Sequence, residues 1–265
     1  KENGIAIPKT YEEVVAASEK IRAAGKMKYP YAAAYKAGWN LAEEFVNMYI
    51  GHGGEFFEAG TAKPSINNAK GVATLNMLKK LADLSNPDYL THDSEAIKVE
   101  WEAGNVAIMT LWASRSGTLL DDEGDAKITA ATKLVAPATV GGGNIPAATL
   151  WWDGFTLAKN RPDADAEASF RAMAHAASSK EMVAKASDQA VWLVEGFVPG
   201  PKSVGVIEAV KMGAKPYPML PQMGLMHGAL GNEIVEFLQG NETAEQALKD
   251  VEAAYNTKAK EQGFL

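Results

Sequence analysis

Tryptophan residues lie at several points where the sequence predicts that a strand ends. Trp112 closes one apolar run, Trp39 lies in the loop after another, and the pair Trp151 and Trp152 directly precedes Asp153. An indole ring stacks on the flat C–H face of a sugar, while a neighbouring charged or amide group bonds its hydroxyl rim. These residue types are therefore suited to holding a polyhydroxylated ligand.

Two further residues belong to the same predicted loops. Tyr35 opens the loop that contains Trp39, and Arg115 follows Trp112 beyond the end of its strand. Because ligands of open parallel sheets bind outside the carboxyl ends of the strands, loops 35–40, 112–115 and 151–153 are expected to converge on one cleft. The candidate ligand-binding residues are Tyr35, Trp39, Trp112, Arg115, Trp151, Trp152 and Asp153.

The alternative for these residues is ordinary packing. Most tryptophans in proteins are buried or half-buried parts of the core. Trp101 and Trp192 lie within helical patterns and are expected to pack. For the tryptophans in the loops, both interpretations stay open, since loops carry binding residues more often than helices do.

Signatures of enzymes and metal sites are absent from the sequence. There is no Gly-x-Ser-x-Gly motif, and the glycine run 141–143 is not followed by Gly-Lys-Ser/Thr. The chain has no cysteine, and its four histidines are far apart, so no metal or cofactor is expected. Carboxylates are abundant. A glycosidase needs two of them at a set separation, which a sequence does not give, so that alternative stays open.

Composition limits the choice of partner. The chain has 265 residues, 47% of them hydrophobic, and a formal net charge of -7. This length suffices for one large or two small domains with proper cores. An acidic chain without clustered Lys and Arg is not expected to bind nucleic acid. No apolar run approaches the ~20 residues that cross a bilayer.

The elements that would position these residues alternate between strands and helices. Thr10, with Glu13 three residues later, predicts the start of a helix that ends at Gly25. Strands are predicted at 29–34, 104–112 and 128–135, with an extended segment at 149–159; helices are predicted at 68–84, 94–103, 164–178 and from Ser178, capped with Glu181, to about Ala190. This alternation is typical of an α/β fold with a largely parallel sheet.

The end of the chain carries the most specific pattern. A Pro-Gln pair leads into an apolar helix, Gly-Asn-Glu-Thr, and then a helix that Thr243 caps and Gln246 closes as a capping box. With the segments 7–13, 51–54, 102–109, 153–159 and 195–199 in order, the sequence resembles the ABC-transporter extracellular solute-binding proteins of the sugar-binding kind, in the maltose-binding protein superfamily.

This resemblance implies an α/β, periplasmic-binding-protein-like (type II) fold of two lobes that close on a ligand. It assigns residues 1–153 to lobe two, 154–203 to helices of lobe one, and 204–265 to a return into lobe two with the C-terminal helices. In the family, a segment like 7–13 lies well inside the protein. We therefore expect most of lobe two here, only the C-terminal-derived helices of lobe one, and most of the N-terminal lobe missing.

The function that the resemblance implies is a non-catalytic substrate-binding receptor of an ABC importer. Its ligand would be a monosaccharide, disaccharide or polyol, because His227 aligns where some maltodextrin binders place an aromatic side chain. The expected partners are the transmembrane subunits of the permease, and the protein is expected to be a periplasmic or extracellular monomer. The alternatives are a carbohydrate hydrolase that uses a carboxylate pair, and a receptor of the same fold for an amine or peptide.

Overall fold

The computed structural model describes residues 4–121, 125–189 and 194–265. Trp192, and the predicted end of a helix at Ala190, lie outside these residues. The helices are α1 Tyr11–Ala24, α2 Trp39–Gly51, α3 Ala69–Ala82, α4 Ser94–Glu102, α5 Ala113–Ser116, α6 Ala126–Ala131, α7 Asp163–Ser178, α8 Lys180–Lys185, α9 Val204–Lys211, α10 Met223–Glu233, α11 Val235–Gln239 and α12 Ala244–Glu261. The strands are β1 Tyr29–Ala32, β2 Val106–Met109, β3 Thr149–Leu150 and β4 Lys215–Pro216.

The strands form two small parallel pairs. β1 pairs with β2, with Tyr31 opposite Ile108, and β3 pairs with β4, with Thr149 opposite Lys215. Parallel pairing of strands that are distant in sequence, with helices between them, confirms the predicted α/β class. The loops that follow the carboxyl ends of β2, β3 and β4 lie near the start of α2.

The main core is built on α2. Leu41, Phe45 and Tyr49 on this helix are fully buried, and α2 packs against both α3 and α10. α10 in turn packs on the C-terminal helix α12, whose Leu248 and Tyr255 are fully buried. A smaller core forms where Ile97 and Val106 join β1 and β2 to α4, with Trp101 packed against it.

The segment around α7 and α8 contributes little to these cores. α7 has no buried residue and packs on α8, where Val183 alone is buried. The chain between β3 and α7, from Trp151 to Pro162, is exposed along its length. The sequence assigns this region to lobe one, and the boundaries of that assignment stay a prediction.

Helix ends follow the sequence closely, with three differences. Thr10 caps α1 by accepting from the Glu13 amide, and Gly25 ends that helix with a φ of 64°. Thr243 caps α12, but the Gln246 side chain donates to Asp250 instead of reaching back, so the predicted capping box is half formed.

The other two differences concern the middle of the chain. The predicted strand 128–135 is wrong, because Asp125 accepts from the Lys127 amide and starts the short helix α6 there. The predicted cap at Ser178 is shifted by one residue, since Ser179 accepts from the Met182 amide and so starts α8.

A contact between two glycines fixes α2 against α10. The Gly38 amide donates to the Gly231 carbonyl over 2.9 Å, and Gly38 has a φ of 93°, which favours glycine. A β-carbon on Gly231 would lie 2.2 Å from the Gly38 carbonyl oxygen. Only a glycine at position 231 therefore allows this approach.

We expect Gly231→Ala to lower the stability of the protein by roughly 1–3 kcal/mol, because a rigid backbone would have to move away from the new methyl group. Gly228 on the same helix has open space around it and is the matched control. Gly228→Ala should raise stability by about 0.5–1 kcal/mol, as alanine favours a helix interior. Urea unfolding of both variants checks this, and equal stabilities would contradict the role of the contact.

Candidate ligand-binding site

Three of the predicted loops meet, as the sequence indicates. Trp39 begins α2, Trp112 follows β2, and Trp151 follows β3. The ring centroids of Trp39 and Trp112 lie 5.4 Å apart in an edge-to-face arrangement, and those of Trp39 and Trp151 lie 5.7 Å apart. The three rings therefore meet, while a shared cleft and a binding role for the rings stay predictions.

Two more rings complete this group. Tyr217, just after β4, lies 4.3 Å from Trp151 between ring centroids, and His227 on α10 lies 5.0 Å from Trp39. We call Trp39, Trp112, Trp151, Tyr217 and His227 the ring cluster. It joins parts of the chain that are far apart in sequence.

Hydrogen bonds hold the ring cluster from within. The two nitrogens of His227 lie 2.9 Å from the Tyr217 hydroxyl and 3.0 Å from the Trp39 carbonyl oxygen. Since only an N–H bonds a carbonyl, Nε2 donates to Trp39 and Nδ1 accepts from Tyr217. Burial lowers the pKa of His227, which agrees with this neutral ring.

The sequence pattern identifies neither Tyr217 nor His227 as part of a ligand site. His227 is 5% exposed and lies within α10. One signal was available for Tyr217: it lies between Pro216 and Pro218, in a loop that shortly precedes α10. Loops of this kind place functional residues more often than helix interiors do.

The ring cluster offers apolar surface to solvent. Trp39 is 50% exposed and Trp151 is 40% exposed, although both have ring neighbours. Their neighbours fix the orientation of each ring, so a ligand would meet a preformed surface at little cost in conformational entropy. Flat, apolar and rigid surface of this kind suits stacking against C–H groups.

Glu43 lies beneath Trp151, one turn into α2. The Trp151 indole N–H donates to Thr149 Oγ1 over 3.0 Å and to Glu43 Oε1 over 3.3 Å. The Thr149 oxygen is also 2.8 Å from Glu43 Oε1 and 2.8 Å from Asn47 Oδ1. Burial raises the pKa of Glu43 to about 7, against the lowering effect of these hydrogen bonds.

The other predicted residues lie outside the ring cluster. Tyr35 is fully buried and packs edge-to-face on Tyr89, so its side chain belongs to the core rather than to a ligand surface. The prediction that Tyr35 binds ligand is therefore wrong. Trp39, predicted in the same loop, is the residue that is exposed. Trp152 is 83% exposed, and Asp153 beside it is exposed as well.

Arg115 is next to the ring cluster but already engaged. Its guanidinium forms an ion pair with Glu95 and lies 5.6 Å from the ring centroid of Trp112. It supports the Trp112 ring through a cation–π contact. Trp101, expected to pack, does so, and its indole N–H donates to Thr132 over 2.9 Å.

A recess of about 780 Å³ lies between the 55–63 loop, residues 218–222 and the C-terminus. Its lining contains none of the rings of the cluster. Phe56 and Phe57, both buried, form part of its wall. Within the described residues, no three His, Cys, Asp or Glu side chains are grouped as a metal site would require.

Comparison with known proteins decides the family. The sequence model of one family, described as bacterial extracellular solute-binding protein, matches residues 1–183. This chain belongs to that family. None of the helices in the described ranges combines the length and apolar character of a membrane-spanning helix. A comparison with curated proteins gives no match.

Solved structures of solute-binding proteins share the fold. One from Agrobacterium radiobacter, in complex with ribitol, has a TM-score of 0.79 at 18% identity, over 97% of this chain and 66% of that one. A maltose-bound protein of T. maritima has a TM-score of 0.72 at 17% identity, over 95% and 66%. One from Agrobacterium vitis, with bound D-mannitol, has a TM-score of 0.67 at 16% identity, over 99% and 69%.

The fold is therefore that of the type II periplasmic binding proteins. The chain spans 66% of the length of the first two of these structures. The ring cluster lies where the loops after β2, β3 and β4 meet the start of α2, beyond the carboxyl ends of strands from both parallel pairs. In α/β folds, ligands bind outside the carboxyl ends of parallel strands.

A second buried carboxyl gives the stability a pH dependence. Glu44 is 4% exposed, and burial, with the neighbouring charge of Glu43, raises its pKa from an ordinary value of 4.5 to about 8. Because the folded-state pKa is the higher one, the contribution of the neutral carboxyl to stability is fully present below the ordinary pKa. It is lost progressively as the pH rises toward about 8.

We predict that Glu44→Gln flattens this dependence. Between about pH 5 and about pH 8.5, the melting temperature of the variant should fall by roughly 5 °C less than that of the unmodified protein. The slope, rather than the absolute melting temperature, is the readout, since a buried amide has its own cost. If the melting temperatures of the two proteins fall equally between about pH 5 and about pH 8.5, the raised pKa of Glu44 is contradicted.

Proposed function

We propose that this protein is a non-catalytic receptor that binds a small polyol, monosaccharide or disaccharide for an ABC importer. The observation that carries the proposal is the ring cluster, in which Trp39 and Trp151 are held rigidly and remain half exposed. Such rings stack on the C–H face of a sugar or polyol chain.

The electrostatics favour a neutral ligand. Arg115, the cation beside the ring cluster, is paired with Glu95, and Lys36 near the start of α2 is paired with Asp93 over 3.1 Å. Each of these two cations therefore already has a carboxylate partner. A neutral polyhydroxylated molecule needs hydrogen bonds and apolar contact instead.

Relatives support the same ligand class. The Agrobacterium radiobacter protein binds ribitol, the T. maritima protein binds maltose, and the Agrobacterium vitis protein binds D-mannitol. We extend this class to the present chain, together with the transmembrane subunits of a permease as partners. We also propose that it acts as a monomer, outside the cytoplasm, without nucleic acid.

Trp152 and Asp153 remain proposed ligand contacts at the edge of the site. They follow Trp151 directly, and the ring of Trp152 is free to stack because it is 83% exposed. Arg115 is proposed to act through Trp112, whose ring it covers. The segment from Trp152 onward leads to α7, which the sequence assigns to the other lobe.

A sugar and polyol panel tests the proposal. Calorimetric titration against ribitol, mannitol, common monosaccharides and maltose should give binding heat with at least one member, accompanied by a higher melting temperature. Chromatography of the incubated ligand should return it unchanged. Product formation would favour the hydrolase alternative. Stabilisation by an amine or a peptide alone would favour a receptor of the same fold for that ligand.

For the ligand that binds, Trp39→Ala should weaken the affinity by roughly 10- to 70-fold. A ring stacked on a sugar removes about 60–100 Å² of apolar area from water, which corresponds to about 1.5–2.5 kcal/mol. Val99→Ala is the control, as Val99 is 63% exposed on α4, outside the ring cluster. Unchanged affinity for Trp39→Ala, with a large loss of stability, would show that Trp39 is a packing residue.

The same titration decides the status of the two edge residues. Trp152→Ala and Asp153→Asn should weaken binding without lowering the melting temperature, because exposed substitutions usually change stability by less than about 0.5 kcal/mol. If both variants bind normally, the ligand site ends at Trp151.

A further inference from the structure

The hydrogen bonds under Trp151 need one more proton than Thr149, Asn47, Trp151 and an ionised Glu43 supply. Thr149 Oγ1 lies 2.8 Å from Glu43 Oε1 and 2.8 Å from Asn47 Oδ1, both of them oxygen atoms. A hydroxyl has one proton, so it donates to one of these oxygens and not to both. The indole N–H of Trp151 points to Thr149 Oγ1 and adds no proton between the oxygens.

A protonated Glu43 satisfies all three contacts of the Thr149 hydroxyl. Its O–H at Oε1 donates to Thr149 Oγ1, the Thr149 hydroxyl donates to Asn47 Oδ1, and the Trp151 N–H donates to Thr149 Oγ1. If Glu43 is ionised instead, the Thr149 hydroxyl turns to the carboxylate, and two oxygens are left facing each other at Asn47. A rotated Asn47 amide is the competing arrangement, which would leave Glu43 charged.

The second oxygen of Glu43 points the same way. Glu43 is 1% exposed, and its Oε2 is buried with no hydrogen-bond partner among the residues that the structure describes. A carboxylate would place negative charge on this unpartnered atom, whereas in the protonated form it is a neutral carbonyl oxygen, which costs less to bury. Burial raises the pKa of Glu43 to about 7, in agreement with a proton held near neutral pH.

We propose that Glu43 is a positioning residue. Its protonated carboxyl donates a hydrogen bond to Thr149, and the resulting orientation of Thr149 fixes the Trp151 ring in the ligand surface. The proposal rests on the proposed function of the ring cluster. Loss of the proton turns Thr149 away from Asn47 and draws the indole N–H toward the carboxylate. Ligand affinity therefore falls as the pH rises.

The groups around Glu43 leave this carboxyl as the one that titrates against Trp151. β3 contributes Thr149 and Trp151, and the loop after β4 contributes Tyr217, whose pKa is raised by burial and by the Glu43 charge. α10 contributes His227, whose pKa is lowered by burial. Among the described residues, no lysine of α3 shifts the pKa of Glu43, and Glu44 is the other nearby carboxyl.

Indole N–H resonances of the ¹⁵N-labelled protein test the positioning directly and need no ligand. The Trp151 resonance is assigned by its loss in Trp151→Phe, and is followed from about pH 5.5 to about pH 9. We expect it to shift with a midpoint near 7. Glu43→Gln, whose amide keeps a donor, should remove the shift, and the control Glu44→Gln should keep it.

Two results would overturn the proposal. One is a Trp151 resonance that does not move with pH, as the rotated Asn47 arrangement requires. The other is a shift that persists in Glu43→Gln and disappears in Glu44→Gln. The titration itself is carried out on the unmodified protein, and Trp151→Phe serves only to assign the resonance.

Binding of ribitol over the same pH range separates this proposal from the function on which it rests. The apparent dissociation constant should rise as the pH passes the midpoint and then level off, by at most the roughly 10- to 70-fold expected for the loss of one stacked ring. In Glu43→Gln this dependence should vanish. Ribitol binding that is independent of pH, with a static resonance, sinks the role of Glu43 and leaves the receptor function standing. A Trp151 resonance that shifts with pH, with no binding to any member of the panel, contradicts the receptor function and leaves the positioning role of Glu43 standing.

Discussion

The start of α2 lies against α10 at a contact between two glycine backbones, Gly38 and Gly231. A β-carbon at Gly231 would lie 2.2 Å from the Gly38 carbonyl oxygen, which is a steric clash. The distance between the helices is therefore set by the backbone rather than by adaptable side chains. This contact places Trp39, the next residue, beside His227. The geometry of the ring cluster depends on it.

From that point α2 serves both the core and the surface. One face carries Leu41, Phe45 and Tyr49 into the main core. The first turns carry Trp39 to the surface and Glu43 beneath Trp151. A helix whose apolar face is locked in a core holds its other side chains rigidly, as a preformed binding surface needs. Stability and binding are thus linked through a single element.

The position of the site could be predicted in part. Tryptophans at predicted strand ends indicated where Trp39, Trp112 and Trp151 would meet, because parallel strands bring their following loops to one edge. Tyr217 and His227 could not be found in this way. They reach the ring cluster through the long-range packing of α10, for which no short sequence pattern exists. No sequence pattern singles out Glu43, and only the fold buries it.

Parts of the fold show the same division between local and distant causes. Caps such as Thr10 and Thr243 are local hydrogen bonds, so the sequence predicted them well. The stretch after Asp125 has the β-branched, apolar character of a strand, yet a cap at Asp125 makes it helical. Tyr35 was predicted to bind ligand because its loop contains Trp39, but its side chain packs against Tyr89 in the core.

The central claim is that a small polyhydroxylated ligand rests on the rings of Trp39, Trp112 and Trp151. Titrating the ¹⁵N-labelled protein with the polyol or sugar that binds, while following the indole N–H resonances, tests it most directly. The resonances of these three tryptophans should move together and saturate, while Trp101, bonded to Thr132 away from the site, should stay in place. Saturable binding that leaves all three unchanged would contradict the account.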